Sequence, residues 1–184
     1  MYRWIIAAVL SLACAAGAGA GQDDPRLEQL FERLLTADDP GEARVVEALI
    51  WNIWHSYDGG DDEIGRLMRQ GGAAMNRADF DRADRLFSRV TELAPDFAEG
   101  WNRRATVRYL AGDYPGSVID IRETLAREPR HFGALSGLGL VYIELEEPEQ
   151  ALAAFEAALE INPHMPGAQA NVEYLRQLLA GNPI

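Results

Sequence analysis

Lysine is absent from this chain. All 17 basic residues are arginine, and 29 acidic residues outnumber them for a formal net charge of −12. A surplus of acid on this scale argues against nucleic acid as a partner, which requires a basic face. The exclusive use of arginine reads as the base composition of the coding genome, not as a need for bidentate contacts at every basic site. Cysteine is nearly absent too. The one thiol, Cys14, lies within the first twenty residues, so a chain cut beyond it forms no disulfide and is held by packing alone. No phosphate-binding glycine loop, His-Glu-x-x-His pair or nucleophile elbow is present, so no catalytic residue is assigned.

What is present begins with a leader. Met1 to Ala20 carries one basic residue, Arg3, an apolar run from Trp4 to Ala13, and small residues ending in Ala18-Gly19-Ala20. That is the pattern of a secretory signal peptide, with cleavage expected after Ala20, and the mature chain is expected to be periplasmic or secreted. The run is shorter than the roughly 20 apolar residues a membrane span needs, and no span is expected in the mature chain. Cys14 makes a lipoprotein anchor the minor alternative, although Ser11 stands where that pattern prefers leucine. Without the leader the net charge is −13, divided as −9 over residues 21–63, +2 over 64–131 and −6 over 132–184.

From Asp24 onward the apolar residues keep helical spacing. Leu27, Leu30, Phe31, Leu34 and Leu35 predict a helix from Asp24 to about Ala37, opened by Asp24-Pro25. Val45, Val46, Leu49, Ile50, Ile53, Trp54 and Tyr57 predict a second, from about Gly41 to Tyr57. The pair reads as a degenerate first repeat, with Trp51, Trp54 and Tyr57 expected in core or capping packing at the open end of a stack rather than in a ligand platform. Asp58 to Glu63 holds four acids and two glycines without the spacing of a calcium loop, and completes the unit 21–63 as an acidic linker.

Beyond the linker a period of 34 residues governs the chain. Pro95, Pro129 and Pro163 obey it, as do Asp79 and Asp113, the small residues Ala83, Ser117 and Ala151, and the large residues Leu67, Trp101 and Leu135. Such a period means a stacked array, and three units, 64–97, 98–131 and 132–165, align without a gap. In each, a small residue (Gly71, Ala105 or Gly139) follows the large one four positions on. Small residues let two helices approach and bulky ones, Phe87, Ile121 and Phe155, fill the remaining space. The prolines stop the second helix of each unit. After Pro166-Gly167 a helix from about Ala168 to Ala180 is expected to cap the array, within a last segment 166–184. Gly137 and Gly139 lack the strand of a dinucleotide fingerprint and are read as close packing. A zinc pair of His131 and His164, one period apart, lacks convergent ligands, so no metal ligand is assigned.

These units resemble the tetratricopeptide repeat, TPR. The resemblance implies an all-α fold: antiparallel helix hairpins stacked as a right-handed α-α superhelix, a TPR solenoid with a C-terminal capping helix. It also implies a non-catalytic scaffold that needs no cofactor and binds a protein or peptide ligand. The alternative is an accessory or regulatory subunit of a cell-envelope enzyme or assembly machine. In the family the first helices line the concave face, and the exposed positions of that face map here onto peptide-binding candidates Met68, Met75, Asn102, Thr106, Tyr109, Ser136 and Leu140. The family's chaperone-binding clamp of lysine and asparagine is not supported, because its places hold Met68 and Gly72, then Asn102 and Thr106. Where the family usually has leucine and an aromatic residue, the first unit has Gln70 and Ala74 and the second Arg104 and Arg108; the third keeps Leu138 and Tyr142. Arg103, Arg104 and Arg108 therefore mark a charged zone, which either attracts an acidic peptide or pairs with carboxylates of neighbouring helices.

Overall fold

A computed structural model describes residues 21–57 and 62–181 of the 184-residue chain. The expected leader and its cleavage point, Cys14, the linker residues 58–61 and the last three residues lie outside the described residues. Among the described residues a 3-10 turn, Gly21–Asp23, precedes α1 (Arg26–Thr36), α2 (Pro40–Trp54), α3 (Asp62–Met75), α4 (Phe80–Leu93), α5 (Ala98–Leu110), α6 (Tyr114–Arg127), α7 (Phe132–Glu144), α8 (Pro148–Ile161) and α9 (Pro166–Leu179). The hairpins α3–α4, α5–α6 and α7–α8 stack in order as an α-α superhelix, and α9 covers α8. None of these helices is long and apolar enough to cross a membrane.

The helix ends repeat as regularly as the sequence. Each first helix closes with a left-handed residue, Ala78 (φ 57°), Gly112 (φ 82°) or Glu146 (φ 58°). The next N–H then reaches back across the turn: Asp79 to Ala74 O at 3.0 Å, Asp113 to Arg108 O at 2.8 Å, and Glu147 to Tyr142 O at 2.8 Å. This is the Schellman arrangement, and it holds alanine and glutamate in a conformation that costs a non-glycine residue about 1–2 kcal/mol. Asp79 and Asp113 then cap α4 and α6 by accepting from the N–H of Arg82 and Gly116. In the third unit Pro148 opens α8 without a side-chain cap. The second helices end at Ala94, Glu128 and Asn162 with φ of −131°, −132° and −128°, outside the helical region, which the following proline disfavours.

Size complementarity locks each hairpin. A Cβ added at Gly71 would meet the Phe87 ring at 2.6 Å, and one at Gly139 would meet the Phe155 ring at 2.7 Å. In the middle unit the small residue gains a methyl, Ala105, and the large one shrinks to Ile121; the two pack together in the core. The last core group joins Ala151 and Phe155 to Ala168, Val172 and Leu175, which is how α9 closes the array.

The N-terminal hairpin departs from its expected place. It is not the next layer of the stack but lies along the edge formed by the turns that enter α5, α7 and α9. Gln22 Nε2 donates to Asp96 O at 2.6 Å, Arg130 Nη1 to Glu28 Oε2 at 2.8 Å, and His164 Nε2 lies 3.0 Å from Leu34 O. Three successive turns thus meet three successive points of one segment. At about 1.5 Å per helical residue, α1 is long enough to follow the stack edge. The driving force is apolar: Leu27, Leu30, Phe31, Leu34, Ala43, Val46, Ile50, Ile53 and Trp54 form one core with Phe132, joined by Ile161 and Met165. Trp54 is therefore a core residue, as expected of it, but at the edge of the stack and not at its open end. The linker is shorter than expected, because Asp62 and Glu63 already belong to α3, where acids favour a helix N-terminus.

Gly139→Ala is expected to lower stability by about 1–3 kcal/mol through overpacking on Phe155. The same substitution made in a Phe155→Ile background should cost much less. Thermal melts followed by circular dichroism test this, and equal losses in both backgrounds would show that the two positions are not coupled.

Candidate functional site

The concave face holds a cavity of about 510 Å³ between α5 and α7. Its floor is made of small residues, Ala105, Ala134 and Gly137, with Ile121 of α6 behind them. Its wall comes from outside the repeats: Trp51 of α2 and His55 at the C-terminal cap of that helix stand over the N-terminal ends of α7 and α5. Trp51 fits there because residue 133 is glycine; a Cβ at that place would lie 2.5 Å from the indole ring. His55 stacks on Trp51 with ring centroids 5.5 Å apart at 25°.

Of the residues expected from the sequence to face a ligand, Asn102, Thr106, Tyr109, Ser136 and Leu140 line this cavity. Met68 and Met75 do not. They are half-buried packing residues: Met68 touches both the Ile64–Phe97 and the Ala74–Val107 groups, and Met75 packs on the second. Trp51, which the sequence assigns to packing rather than to a ligand platform, both packs on the N-terminal core and lines the cavity. His55 carries no signal in the sequence, because nothing in a helix of degenerate pattern says that it folds back across the groove.

The arginine zone divides in two. Arg104 and Arg108 lie away from the cavity, in the seam of α4, α5 and α6, where both serve one carboxylate. Arg104 forks onto Asp120 with Nε to Oδ2 at 2.8 Å and Nη2 to Oδ1 at 2.7 Å, and Arg108 Nη1 stands 2.9 Å from Oδ2. Arg104 Nη1 also donates to Ser88 Oγ at 3.2 Å and Thr91 Oγ1 at 3.1 Å. Asp120 is wholly buried, and a buried carboxylate needs this degree of pairing to be tolerated. Of the two readings the sequence left open for these arginines, Arg104 and Arg108 follow the second: they pair with carboxylates of neighbouring helices, in an internal ion network that takes the place of apolar packing. Only Arg103 lines the cavity.

Arg103 belongs to a second buried network, centred on Glu99, whose side chain is 1% exposed. Oε1 receives Arg103 Nε at 2.6 Å and has His55 Nε2 at 3.1 Å. Oε2 receives Asn102 Nδ2 at 2.8 Å and His131 Nε2 at 3.2 Å. His131 caps α7: its Nδ1 accepts the N–H of Ala134 at 3.0 Å, so in this geometry its proton sits on Nε2, aimed at Glu99. The His131 ring is stacked on Trp54 with centroids 4.1 Å apart at 11°. Burial by itself raises the Glu99 pKa, but the hydrogen bonds with His131 and His55 and the charge of Arg103 outweigh it and hold the carboxyl well below its ordinary value of 4.5. The two histidines once conceivable as a metal pair are engaged separately, His131 here and His164 at Leu34.

A depressed pKa gives a stability contribution that is complete above the ordinary glutamate range and is lost as pH falls through and below it. Glu99→Gln should therefore cost about 3 kcal/mol near neutrality, as breaking a buried pair does, with a shrinking penalty toward acid pH. Urea titrations at neutral and acid pH, read by tryptophan fluorescence, test this; a penalty that does not vary with pH would remove the charge from the explanation.

Two family models, each described as Tetratricopeptide repeat, match this chain, one over residues 68–123 and the other over 133–165. A TPR repeat-containing protein of Rhizobium etli is 38% identical over 157 residues, which span 85% of this chain and 76% of that protein. Among solved structures, the first TPR of Spaghetti (RPAP3) bound to the HSP90 peptide SRMEEVD superposes with a TM-score of 0.63 at 19% identity, covering 65% of this chain and 94% of that one. The TPR2B domain of yeast Sti1 in its pHsp70 complex gives 0.60 at 18% identity, with 64% and 99% covered. At those identities the two structures are similar to this chain in fold. The identity and coverage of the Rhizobium protein, together with the two matched repeat regions, show that the chain belongs to the tetratricopeptide repeat family.

Proposed function

We propose that this chain is a non-catalytic protein-interaction scaffold that holds a segment of a partner protein in the concave cavity between α5 and α7. The observation that carries the reading is the cavity itself. It combines apolar and small residues with Asn102, Thr106, Tyr109 and Ser136, the mixture that binds one face of a peptide and fixes its backbone by a few hydrogen bonds. Two structures of similar fold are described as bound to peptide or partner, which supports the same reading. The leader pattern of Met1 to Ala20 supports a place in the bacterial cell envelope, as a periplasmic or secreted protein.

Selection of random phage-displayed peptides on the purified chain should enrich a consensus, whose affinity falls about tenfold or more in Tyr109→Ala or Asn102→Ala, as expected for central contacts. Ile119→Asp, on an exposed part of α6, should leave it unchanged. Failure to enrich, or equal retention by both cavity variants, overturns the scaffold proposal. The address is tested separately. Residues 1–20 fused to a leaderless periplasmic phosphatase should restore its activity, and N-terminal sequencing of the exported fusion should show cleavage after Ala20; an inactive cytoplasmic fusion would refute export.

A further inference from the structure

We infer that the groove between α8 and α9 is a second binding surface, and that it takes a cationic amphipathic helix of a partner protein. The 34-residue period runs past the third unit: Pro166 stands 34 residues after Phe132, and α9 begins there. By its place α9 is the first helix of a fourth unit. In each complete unit the first helix is covered by its own second helix, α3 by α4, α5 by α6 and α7 by α8. The eighth residue of the unit is a point of close approach, as at Gly71 on Phe87 and Gly139 on Phe155. In α9 the eighth residue is Glu173. It lines a groove of about 940 Å³ together with Val172 and Arg176 of α9 and Glu156, Leu159 and Glu160 of α8. The molecule shows three times what covers such a face: α4, α6 and α8 are each a helix of 14 residues.

Charge says which helix fits. The corresponding seam in the middle of the stack, between α4 and α5, presents Arg104 and Arg108, and the helix that closes it, α6, brings the matching Asp120. Between α8 and α9 the sign is reversed. Glu156 accepts from Arg176 Nη2 at 2.6 Å, Glu173 accepts only from Gln177 Nε2, at 3.4 Å, and Glu160 has no hydrogen-bond or ion-pair partner among the described residues. A glutamate in place of glycine or alanine fills the space a facing phenylalanine would need. A lysine or arginine there reaches the carboxylate instead, with its stem along Val172 and Leu159. Residues 132–184 hold seven acids and one base, which draws a basic segment toward this end of the stack. An amphipathic helix laid in a groove is a general mode of recognition, and here the register of the repeats sets its place and length.

The probe is a synthetic peptide of the α8 sequence, Pro148–Ile161, stapled into a helix on its outward side and carrying Phe155→Arg, Glu149→Lys, Glu156→Lys and Glu160→Lys. Titrated into the full chain and followed by fluorescence anisotropy, it should bind saturably. Glu173→Arg in the chain should weaken it about tenfold or more, the scale of one charge-assisted contact. A second peptide with Phe155→Glu in place of Phe155→Arg should reverse the order and prefer the Glu173→Arg chain. Glu32→Arg, which changes the net charge equally from an exposed place on α1, should leave both affinities unchanged. No saturable binding, equal losses in Glu173→Arg and Glu32→Arg, or no exchange of preference between the two peptides each overturns the inference. Sedimentation supplies the remaining outcome: if the unaltered chain self-associates and the peptide dissolves the complex, the groove belongs to a second copy and the partner reading falls. The cavity between α5 and α7 shares no lining residue with this groove, so the scaffold proposal stands or falls separately.

Discussion

The carboxylate of Glu99 is the point on which the rest of the structure depends. Taking an ionised carboxylate out of water costs several kcal/mol, and this one is tolerated because four side chains from three parts of the molecule converge on it. Each of the four is thereby fixed. His131 is held in the tautomer that caps α7, and its ring becomes the surface on which Trp54 stacks. Arg103 and Asn102 are turned toward the cavity. His55 is drawn onto α5, and Trp51 with it, so the wall of the cavity exists only while the N-terminal hairpin is docked.

That docking changes what kind of solenoid this is. In a simple repeat array each unit touches its neighbours alone, and stability is a sum of local terms. Here α1 and the 3-10 turn before it run along the edge and touch three successive turns, through Gln22, Glu28 and Leu34. A strap of this kind couples units that would otherwise be independent, and it sets the spacing of α5 and α7 before any ligand arrives. A groove whose width is preset loses less conformational entropy on binding.

Asp120 shows the same physics put to another use. Its two arginines occupy places where the family usually has leucine and an aromatic residue, and the apolar packing lost there is replaced by a buried ion network. The three buried carboxylates among the described residues, Glu99, Asp120 and Glu128, all lie in the middle unit, the unit that departs most from the family pattern while keeping the same hairpin. Its hydrogen-bond demands are met from α4, α5, α6 and the hairpin together, and no single repeat would satisfy them.

The sequence by itself determined the helices, their turns and their pairing within each repeat, because these follow from local chemistry repeated every 34 residues: proline stops, aspartate caps, and a glycine set opposite a phenylalanine. It also brought five concave-face residues, Asn102, Thr106, Tyr109, Ser136 and Leu140, to the candidate cavity, since one face of one helix is legible from periodicity. It did not reveal that Ala78 and Glu146 take a left-handed conformation, which glycine would have advertised. Nor did it separate Arg103, at the cavity, from Arg104 and Arg108, in a seam, because three arginines within six residues look alike until their acids are placed. Tertiary structure alone decided where the N-terminal hairpin goes, that Met68 and Met75 are packing, and that Glu99 is buried. Those outcomes depend on contacts between residues far apart in the chain, and no local period records which distant surface an apolar helix face will choose.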